Sequence, residues 1–258
     1  MQKKSKDNWI LSYYQGIKNG SIAVGRWIEL LIDHLVEGLQ KKSFFYDPVK
    51  ANAAIDWIEE NTFHTEGELA PGKLKLELWQ KCFLAALFGI VNKDGRRQFR
   101  EAALVVARKN GKSLFAAAIA KYIWMVDGGF GTKIYNIAPK LDQADIIYNN
   151  IWQMVLLDPA YQQMKEDLSE RDEHNKKVKD DSMLPRHRVT DLYITSTNST
   201  IKKIAFSAKK SDGFNPSLCI CDEIASWEGD NGLKQYEVMK SGMGARPEGI
   251  LLSCTTSG

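Results

Sequence analysis

The loop Ala107-Arg108-Lys109-Asn110-Gly111-Lys112-Ser113 joins a predicted strand at residues 102–107 to a predicted helix at residues 112–126. In a phosphate-binding loop, backbone N–H groups at a helix start converge on phosphate oxygens, a lysine reaches the β- and γ-phosphates, and a hydroxyl binds Mg²⁺. Gly111, Lys112 and Ser113 match the last three positions of that pattern, whereas Val106 stands where the usual pattern has its first glycine. Gly-Lys-Ser alone is a weak signal, and the strand–loop–helix context is what favours a nucleotide site.

A second motif is an apolar run that ends in two acids, Leu218-Cys219-Ile220-Cys221-Asp222-Glu223. Such a run predicts a buried strand that delivers carboxylates to the carboxyl edge of a sheet, where open α/β folds bind ligands. Asp222 is then expected to hold Mg²⁺, and Glu223 to orient and deprotonate the attacking water. Alone, the two acids could equally cap the next helix. With the phosphate-binding loop upstream, they predict nucleotide hydrolysis.

Two weaker motifs fit the same interpretation. The apolar run at residues 250–254 ends in Thr255 and Thr256, and hydroxyls at a strand end can sense the γ-phosphate, although a plain turn would look similar. Upstream, Gln80 could hydrogen-bond an adenine edge beside Trp79, although a core position for Trp79 is the more ordinary interpretation.

The rest of the chain alternates short β-branched runs with helical periods. We expect strands at 133–138, 218–222 and 250–255, a helix at 141–156, and a hairpin formed by 189–196 and 201–206. This alternation predicts an α/β fold in which helices flank a mostly parallel sheet. Together with the phosphate-binding loop and the two acids, it leads us to expect a P-loop NTPase of the RecA-like, ASCE class. We expect residues 1–65 to form an N-terminal helical region and residues 66–258 the ATPase domain.

Two features of the helical region are specific. Six apolar residues fall on one helical face: Val24, Trp27, Ile28, Leu31, Leu35 and Leu39. A further helix is expected to open at Asp47-Pro48, where an N-cap acceptor precedes a proline in the first turn.

Composition excludes several classes of protein. The net charge of +3 over 258 residues is not that of a histone-like polycation. The four cysteines show no disulfide-like spacing, which indicates a reducing compartment; Cys219 and Cys221 are predicted as core residues on one strand face, with metal binding as the alternative. No apolar stretch is long enough to cross a bilayer, so no membrane association is expected.

The segment at residues 165–188 is densely charged. A solvated helix or mobile loop is the favoured interpretation, and a surface that faces DNA or a partner is the alternative.

With these motifs in this order, the chain resembles the ATPase domain of bacteriophage large terminases, in particular those of HK97-like phages. Residues 74–258 carry the resemblance, and the N-terminal helices match only loosely. The matching segments are Leu78-Trp79-Gln80 with Leu87-Phe88-Gly89, Arg108 to Ser113, Ala138-Pro139 with Gln143-Ala144, Asp212-Gly213-Phe214-Asn215-Pro216 leading into Cys221-Asp222-Glu223, and Thr255-Thr256-Ser257-Gly258.

The resemblance implies ATP and Mg²⁺ as cofactors. It places the nucleotide on Trp79, Gln80, Arg108, Lys109, Asn110, Gly111, Lys112 and Ser113, and the metal on Ser113 and Asp222. Glu223 is the implied catalytic carboxylate, Arg108 contacts the γ-phosphate or switches with the nucleotide state, and Thr255 and Thr256 couple hydrolysis to domain movement. A neighbouring subunit is expected to donate an arginine, for which Arg96, Arg97, Arg100 and Arg246 are unranked candidates.

The resemblance also implies partners. We expect a ring of subunits, a pentamer on the portal, that pumps double-stranded DNA into a procapsid in the host cytoplasm, with the portal protein and the small terminase subunit as partners. The candidate DNA-contacting residues are Lys202, Lys203, Lys209 and Lys210. Because the chain stops after the coupling motif, we expect no nuclease activity in it.

Two other functions fit part of the pattern. A superfamily-2 helicase fragment shares the motifs but needs a second motor lobe and usually keeps the first loop glycine. A non-catalytic nucleotide-binding assembly protein is disfavoured by Glu223, the residue that such proteins usually lose.

Overall fold

The computed structural model describes residues 7–174, 182–205 and 213–256, without the side chains of residues 169–174. The chain divides into two compact units, Met1–Glu60 with Lys75–Arg100, and Asn61–Leu74 with Glu101–Gly258. This division differs from the predicted boundary near residue 65, because residues 75–100 pack with the N-terminal helices. The domain boundary at residue 65 stays a prediction.

The first unit is mainly helical. Its elements are α1 (Trp9–Lys18), α2 (Arg26–Gln40), β1 (Phe45–Tyr46), α3 (Pro48–Asn61), α4 (Leu78–Leu84), a π-helical turn (Ala85–Gly89) and β2 (Ile90–Val91). Strands β1 and β2 pair antiparallel, and α1 packs on both α2 and α4. As predicted, α3 begins at Pro48, where the Asp47 carboxylate accepts hydrogen bonds from the backbone N–H groups of Val49 (2.9 Å) and Lys50 (3.1 Å).

Helix α2 was predicted correctly, but its buried face was not. Trp27 is 80% exposed and Leu31 is 51% exposed, whereas Ile32, Leu35 and Val36 are buried. A helix with apolar residues on most of its circumference offers more than one plausible core-facing stripe, and the packing of α1 against α2 selects between them.

The second unit alternates strands and helices. Its elements are β3 (Glu101–Val106), α5 (Lys112–Tyr122) with a π-helical turn (Ile123–Asp127), β4 (Lys133–Ala138), α6 (Leu141–Leu156), α7 (Pro159–His174), β5 (Arg186–His187), β6 (Asp191–Ile194), β7 (Ser199–Ala205), β8 (Leu218–Cys221), a 3₁₀ turn (Ile224–Ser226), α8 (Gly229–Gly242), a second 3₁₀ turn (Met243–Ala245) and β9 (Ile250–Thr256). The predicted strands and helices are confirmed to within a few residues. The charged segment is helical as far as His174 and carries β5 at Arg186–His187, and its residues 175–181 lie outside the described part of the chain.

Among the described residues, seven strands form one sheet in the order β3-β9-β8-β4-β7-β6-β5. The first five are parallel, and β5 and β6 add an antiparallel edge, with the predicted hairpin formed by β6 and β7. Because β9 lies between β3 and β8, the carboxyl ends of the loop strand, the coupling strand and the acid strand stand side by side. This arrangement brings the three motifs to one edge of the sheet.

Helices cover both faces of the sheet. On one face, the Asn136 side chain of β4 donates a hydrogen bond to the Ala144 carbonyl of α6 (2.6 Å). On the other face, a core cluster joins β4, β8 and β9 to α8 and the turn after it: Tyr135, Ile137, Cys219, Cys221, Met239, Met243 and Leu251. The fold is therefore the α/β architecture that the alternation of strands and helices predicts.

Candidate active site at the carboxyl edge of the sheet

The loop after β3 turns the chain sharply into α5. Gly111 has φ of 69° and Lys109 has φ of 64°, both in the left-handed region. Arg108, Lys109, Asn110 and Gly111 are exposed, and Ser113 is half-buried in the first turn of α5. Exposed backbone at the N-terminus of an eleven-residue helix favours an anion, because unpaired N–H groups and the helix dipole act in the same direction.

Lys112 meets both acids of the second motif. It is 7% exposed, its Nζ contacts Glu223 Oε1, and Asp222 Oδ1 lies 3.5 Å away. Lys112 and Glu223 are 111 residues apart in the chain. The two motifs that the sequence paired by their order are thus joined by a direct ion pair.

Asp222 is buried at the end of β8. Burial raises the pKa of its carboxyl group above its usual range, and the neighbouring Glu223 acts in the same direction, while Lys112 opposes the rise. A carboxylate in this environment gains from every positive charge placed beside it. The ionised form of Asp222 therefore depends on nearby positive charge, which Lys112 supplies in this structure.

Glu223 occupies an unusual backbone conformation. Its φ of 50° and ψ of 45° lie in the left-handed region, which costs a residue with a side chain about 1–2 kcal/mol. Neighbouring groups hold the turn: Ser226 Oγ donates to the Glu223 carbonyl (2.7 Å), and Trp227 Nε1 donates to the Asp222 carbonyl (2.8 Å). These bonds fix the direction in which the Glu223 carboxylate leaves the backbone.

The two threonines of the third motif lie against the same turn. Thr256 Oγ1 donates to Glu223 Oε2 at 3.5 Å, and Thr255 Oγ1 accepts from the Ala225 N–H at 3.4 Å. Thr256 also sits opposite Val106 in the β3–β9 register. The end of β9 thus touches both the acid turn and the strand that leads into the phosphate-binding loop.

Trp79 and Gln80 open α4 in the first unit. Gln80 is buried, and its Oε1 accepts from the backbone N–H of Glu77 at 2.8 Å. This bond caps the helix start, a local role that the sequence interpretation had not considered. The adenine contact stays a prediction.

Two of the four candidate arginines are held by contacts within the chain. Arg97 is buried, donates to the Leu87 carbonyl (3.2 Å) and lies over the Phe88 ring. Arg246 donates to Asn215 Oδ1 (3.1 Å) and to the Gly131 carbonyl. Arg96 is exposed and Arg100 is half-buried, so by exposure Arg96 is the better placed for donation to a neighbouring subunit.

The candidate DNA-contacting lysines differ in their contacts and exposure. Lys203 forms an ion pair with Asp145 and lies over the Tyr148 ring, whereas Lys202 is exposed. Lys209 and Lys210 lie outside the described residues, as do Asp212 and the 257–258 end of the coupling motif.

Cys219 and Cys221 point to the same face of β8, as predicted, with their sulfur atoms 3.9 Å apart in the core cluster. Hydrogen bonding between the two thiols and burial raise the pKa of Cys221.

Within the described part of the chain, no group of three or more His, Cys, Asp or Glu side chains is arranged to hold a metal ion. In the same residues, no helix is long and apolar enough to span a membrane.

Trp227 was missed by the sequence interpretation, although it follows the acid pair closely. We expect Trp227→Phe to lower ATP turnover about three- to tenfold without changing nucleotide affinity, because it removes a hydrogen bond worth about 1 kcal/mol to the acid turn and keeps an aromatic ring. Steady-state turnover and nucleotide titration measure the two quantities. Trp152→Phe is the control, because Trp152 lies in α6, where it packs on Tyr161 and not on the acid turn. An equal loss of turnover in both variants would contradict a positioning role for Trp227.

The sheet order, the loop at the start of α5 and the acid pair at the end of β8 define a P-loop nucleoside triphosphatase. The sequence matches the family described as "Terminase large subunit, ATPase domain" over residues 78–258, and the chain belongs to this family. Membership implies ATPase activity.

Two solved large terminase structures are similar to this chain. The large terminase of bacteriophage HK97 superposes with a TM-score of 0.60 at 22% identity, over 80% of this chain and 37% of that one, which shows the shared fold. The ATPase domain of the Thermus phage P74-26 large terminase aligns with a TM-score of 0.40 at 19% identity, over 64% of this chain and 62% of that one. This chain thus spans little more than a third of the HK97 protein. Among curated proteins, none matches the sequence.

Proposed function

We propose that this chain is the ATP-hydrolysing motor module of a viral large terminase, which drives double-stranded DNA into a procapsid in the host cytoplasm. The observation that carries the proposal is the meeting of Lys112 with Asp222 and Glu223 beside a helix-start loop, in a chain of the terminase ATPase family.

The loop residues and the acid pair fit ATP and Mg²⁺. The exposed backbone from Arg108 to Gly111 receives the phosphates, Lys112 reaches the β- and γ-phosphate oxygens, and Arg108 contacts the γ-phosphate or responds to its loss. Trp79 and Gln80 contact the adenine, and Lys109 and Asn110 complete the loop. Ser113 and Asp222 would hold the metal, because a hydroxyl and a carboxylate are oxygen ligands that Mg²⁺ prefers, and Asp222 lies 3.5 Å from the ammonium of Lys112, the neighbour of Ser113. Bound Mg²⁺ supplies charge neutralisation on the phosphates.

Glu223 acts as the general base. In the structure its carboxylate contacts the Lys112 ammonium, and an approaching triphosphate competes for that ammonium. Once released, the carboxylate can accept a proton from a water molecule as the water oxygen bonds to the γ-phosphorus and the bond to the ADP oxygen breaks. The ion pair thus keeps the base occupied until nucleotide binds.

Thr255 and Thr256 connect this chemistry to movement. Both touch the turn that carries Glu223, and they end a strand that lies directly beside β3. A change at the γ-phosphate position is therefore transmitted to β9, and we propose that this strand passes it to the rest of the motor.

The remaining partners follow from the same proposal. Subunits assemble as a ring, a pentamer on the portal protein, and the small terminase subunit delivers DNA. A neighbouring subunit donates an arginine to the transition state, for which Arg96 is the exposed candidate. Contacts to DNA are mainly to phosphates, so binding is independent of sequence and sensitive to salt.

ATP turnover of the chain with and without duplex DNA tests the proposal. We expect hydrolysis that rises with protein concentration, as ring assembly brings in the arginine, and rises further with duplex DNA. Lys112→Ala should lose ATP binding. Turnover that duplex DNA leaves unchanged at every protein concentration would contradict a DNA motor, and ATP binding that survives Lys112→Ala would contradict the assigned nucleotide site.

A further inference from the structure

The antiparallel edge of the sheet has two unlike faces. Along β6 and β7, Leu192, Ile194 and Ile201 are buried on the face toward α6. Lys203 projects to that same face, where Asp145 of α6 neutralises it. Side chains alternate between the faces of a strand, so the neighbours of these residues project to the opposite side.

That opposite side carries three cations around a tyrosine ring. We name this group the hairpin basic face: Arg186, Arg188 and Lys202 with Tyr193. Strand pairing places Arg186 opposite Tyr193 in the β5–β6 register, and Lys202 lies on the same side two residues along β7 from the partner of Tyr193. Arg188 and Lys202 are exposed, and Arg186 and Tyr193 are half-buried. Asp191 pairs with Lys202 across β6 and β7 and lies on the same side. With this one acid and three cations, the described residues of the face keep a net positive charge.

The cations on this face are held in place. The Arg188 guanidinium lies 3.7 Å from the centre of the Tyr193 ring, and Arg186 Nη1 donates to the Tyr193 hydroxyl at 3.4 Å. The two arginines hold the pKa of the Tyr193 hydroxyl below its usual range. Stacking on a ring fixes the plane of a guanidinium, so less conformational entropy is lost when it binds a further group.

Within the described residues, packing on that side of β7 reaches Ile204, whereas Lys202 is exposed. The cluster that includes α8 covers β4, β8 and β9, and along β7 it extends to Ile204. Lys202, two residues nearer the strand start, is exposed instead. Three strands at a spacing of about 4.8 Å thus present a surface about 10 Å wide, with two arginines held by Tyr193 and an exposed lysine.

We propose that the hairpin basic face binds the phosphate backbone of duplex DNA. Charge complementarity selects the occupant: two arginines held on a ring and an exposed lysine match closely spaced phosphates, whereas the described side chains of this face offer an apolar partner little more than the Tyr193 ring. Arg186, Arg188 and Lys202 contact phosphate oxygens, and Tyr193 orients the guanidinium groups. The choice of DNA as the polyanion rests on the proposed function, and the residues rest on the geometry.

Fluorescence anisotropy of a labelled duplex, titrated with the full chain over a salt series, tests this assignment. The variant is Arg186→Gln/Arg188→Gln/Lys202→Gln, and the control, Lys75→Gln/Lys165→Gln/Lys234→Gln, removes the same charge from exposed lysines elsewhere. We expect the variant to bind about 10–100-fold more weakly and its slope of log K against log salt to flatten by roughly 2–3, near 0.9 per lost phosphate contact. The control should resemble wild type, and ATP turnover without DNA should be equal in all three proteins.

Each alternative result has a distinct meaning. Duplex binding that is equal in the variant and the control overturns the hairpin basic face and leaves the proposed motor intact. Wild type that hydrolyses ATP yet never binds duplex overturns both the face and the DNA partner. A variant that loses binding to labelled polyglutamate but keeps duplex binding assigns the face to an acidic protein and overturns the inference. Lys202→Glu, a single exposed change, repeats the measurement if the triple variant folds poorly.

Discussion

Glu223→Gln is expected to lower ATP turnover by roughly 10²–10⁴-fold while ATP binding is retained. Glutamine has nearly the same shape but cannot accept the proton of the attacking water. The variant also loses the ion pair with Lys112, which competes with the phosphates for the lysine ammonium. ATP affinity should therefore stay equal or become tighter.

Single-turnover hydrolysis and ATP titration of the same preparations separate these effects. Asp230→Asn is the control, since it neutralises an exposed acid in the first turn of α8 without touching the acid turn. Turnover within threefold of wild type in Glu223→Gln would remove Glu223 from the catalytic role. Loss of ATP binding in the same variant would instead show that the turn had collapsed.

Asp158→Asn is expected to lower the free energy of unfolding by about 3 kcal/mol. Asp158 Oδ2 lies 2.7 Å from Lys121 Nζ, and Lys121 is 1% exposed and also donates to the carbonyls of Asn61 (2.6 Å) and Met154 (3.1 Å). Removing the carboxylate takes away the negative charge that Asp158 places beside a buried ammonium. Asparagine can still accept the hydrogen bond from the Ala160 N–H, so the start of α7 is preserved.

Denaturant unfolding of a double-mutant cycle checks this value. Because Lys121→Met removes the buried charge itself, the double variant Lys121→Met/Asp158→Asn should be more stable than Asp158→Asn alone. A double variant that is less stable than both single variants would contradict the argument.

The pH dependence of the same variant has a defined sign. Burial lowers the pKa of Lys121, and Asp158 opposes that shift. A group whose pKa is lowered on folding contributes stability above its unfolded value that is lost as the pH falls through its folded value. Loss of Asp158 lowers the folded pKa further, so the stability gap between variant and wild type should narrow as the pH rises from 7 toward 10.

Sequence patterns within single helices and strands predicted much of the fold and of the site. A glycine–lysine–serine at a helix start, acids at the end of an apolar run and hydroxyls at the end of another predicted the phosphate-binding loop, the acid strand and the coupling strand. Their boundaries differ from the structure by a few residues at most. These signals are readable because hydrogen-bonding and burial rules act over one element at a time.

Contacts between elements could not be predicted from those patterns. Helix α2 has more apolar residues than its buried stripe needs, so packing with α1 exposes Trp27 and buries Ile32. Gln80 caps its own helix through a bond that is local yet was overlooked. Arg186 and Arg188 looked like part of a solvated charged segment until strand pairing placed them around Tyr193.

The sequence by itself determined three things about the site: its residue types, their order along the chain, and their positions at the ends of strands. Tertiary structure alone settled that Lys112 pairs with Glu223, that Trp227 and Thr256 support the acid turn, and that Lys203 is neutralised while Lys202 faces solvent. The reason is physical: periodicity determines which residues share a face, whereas the order of strands in the sheet determines what that face meets.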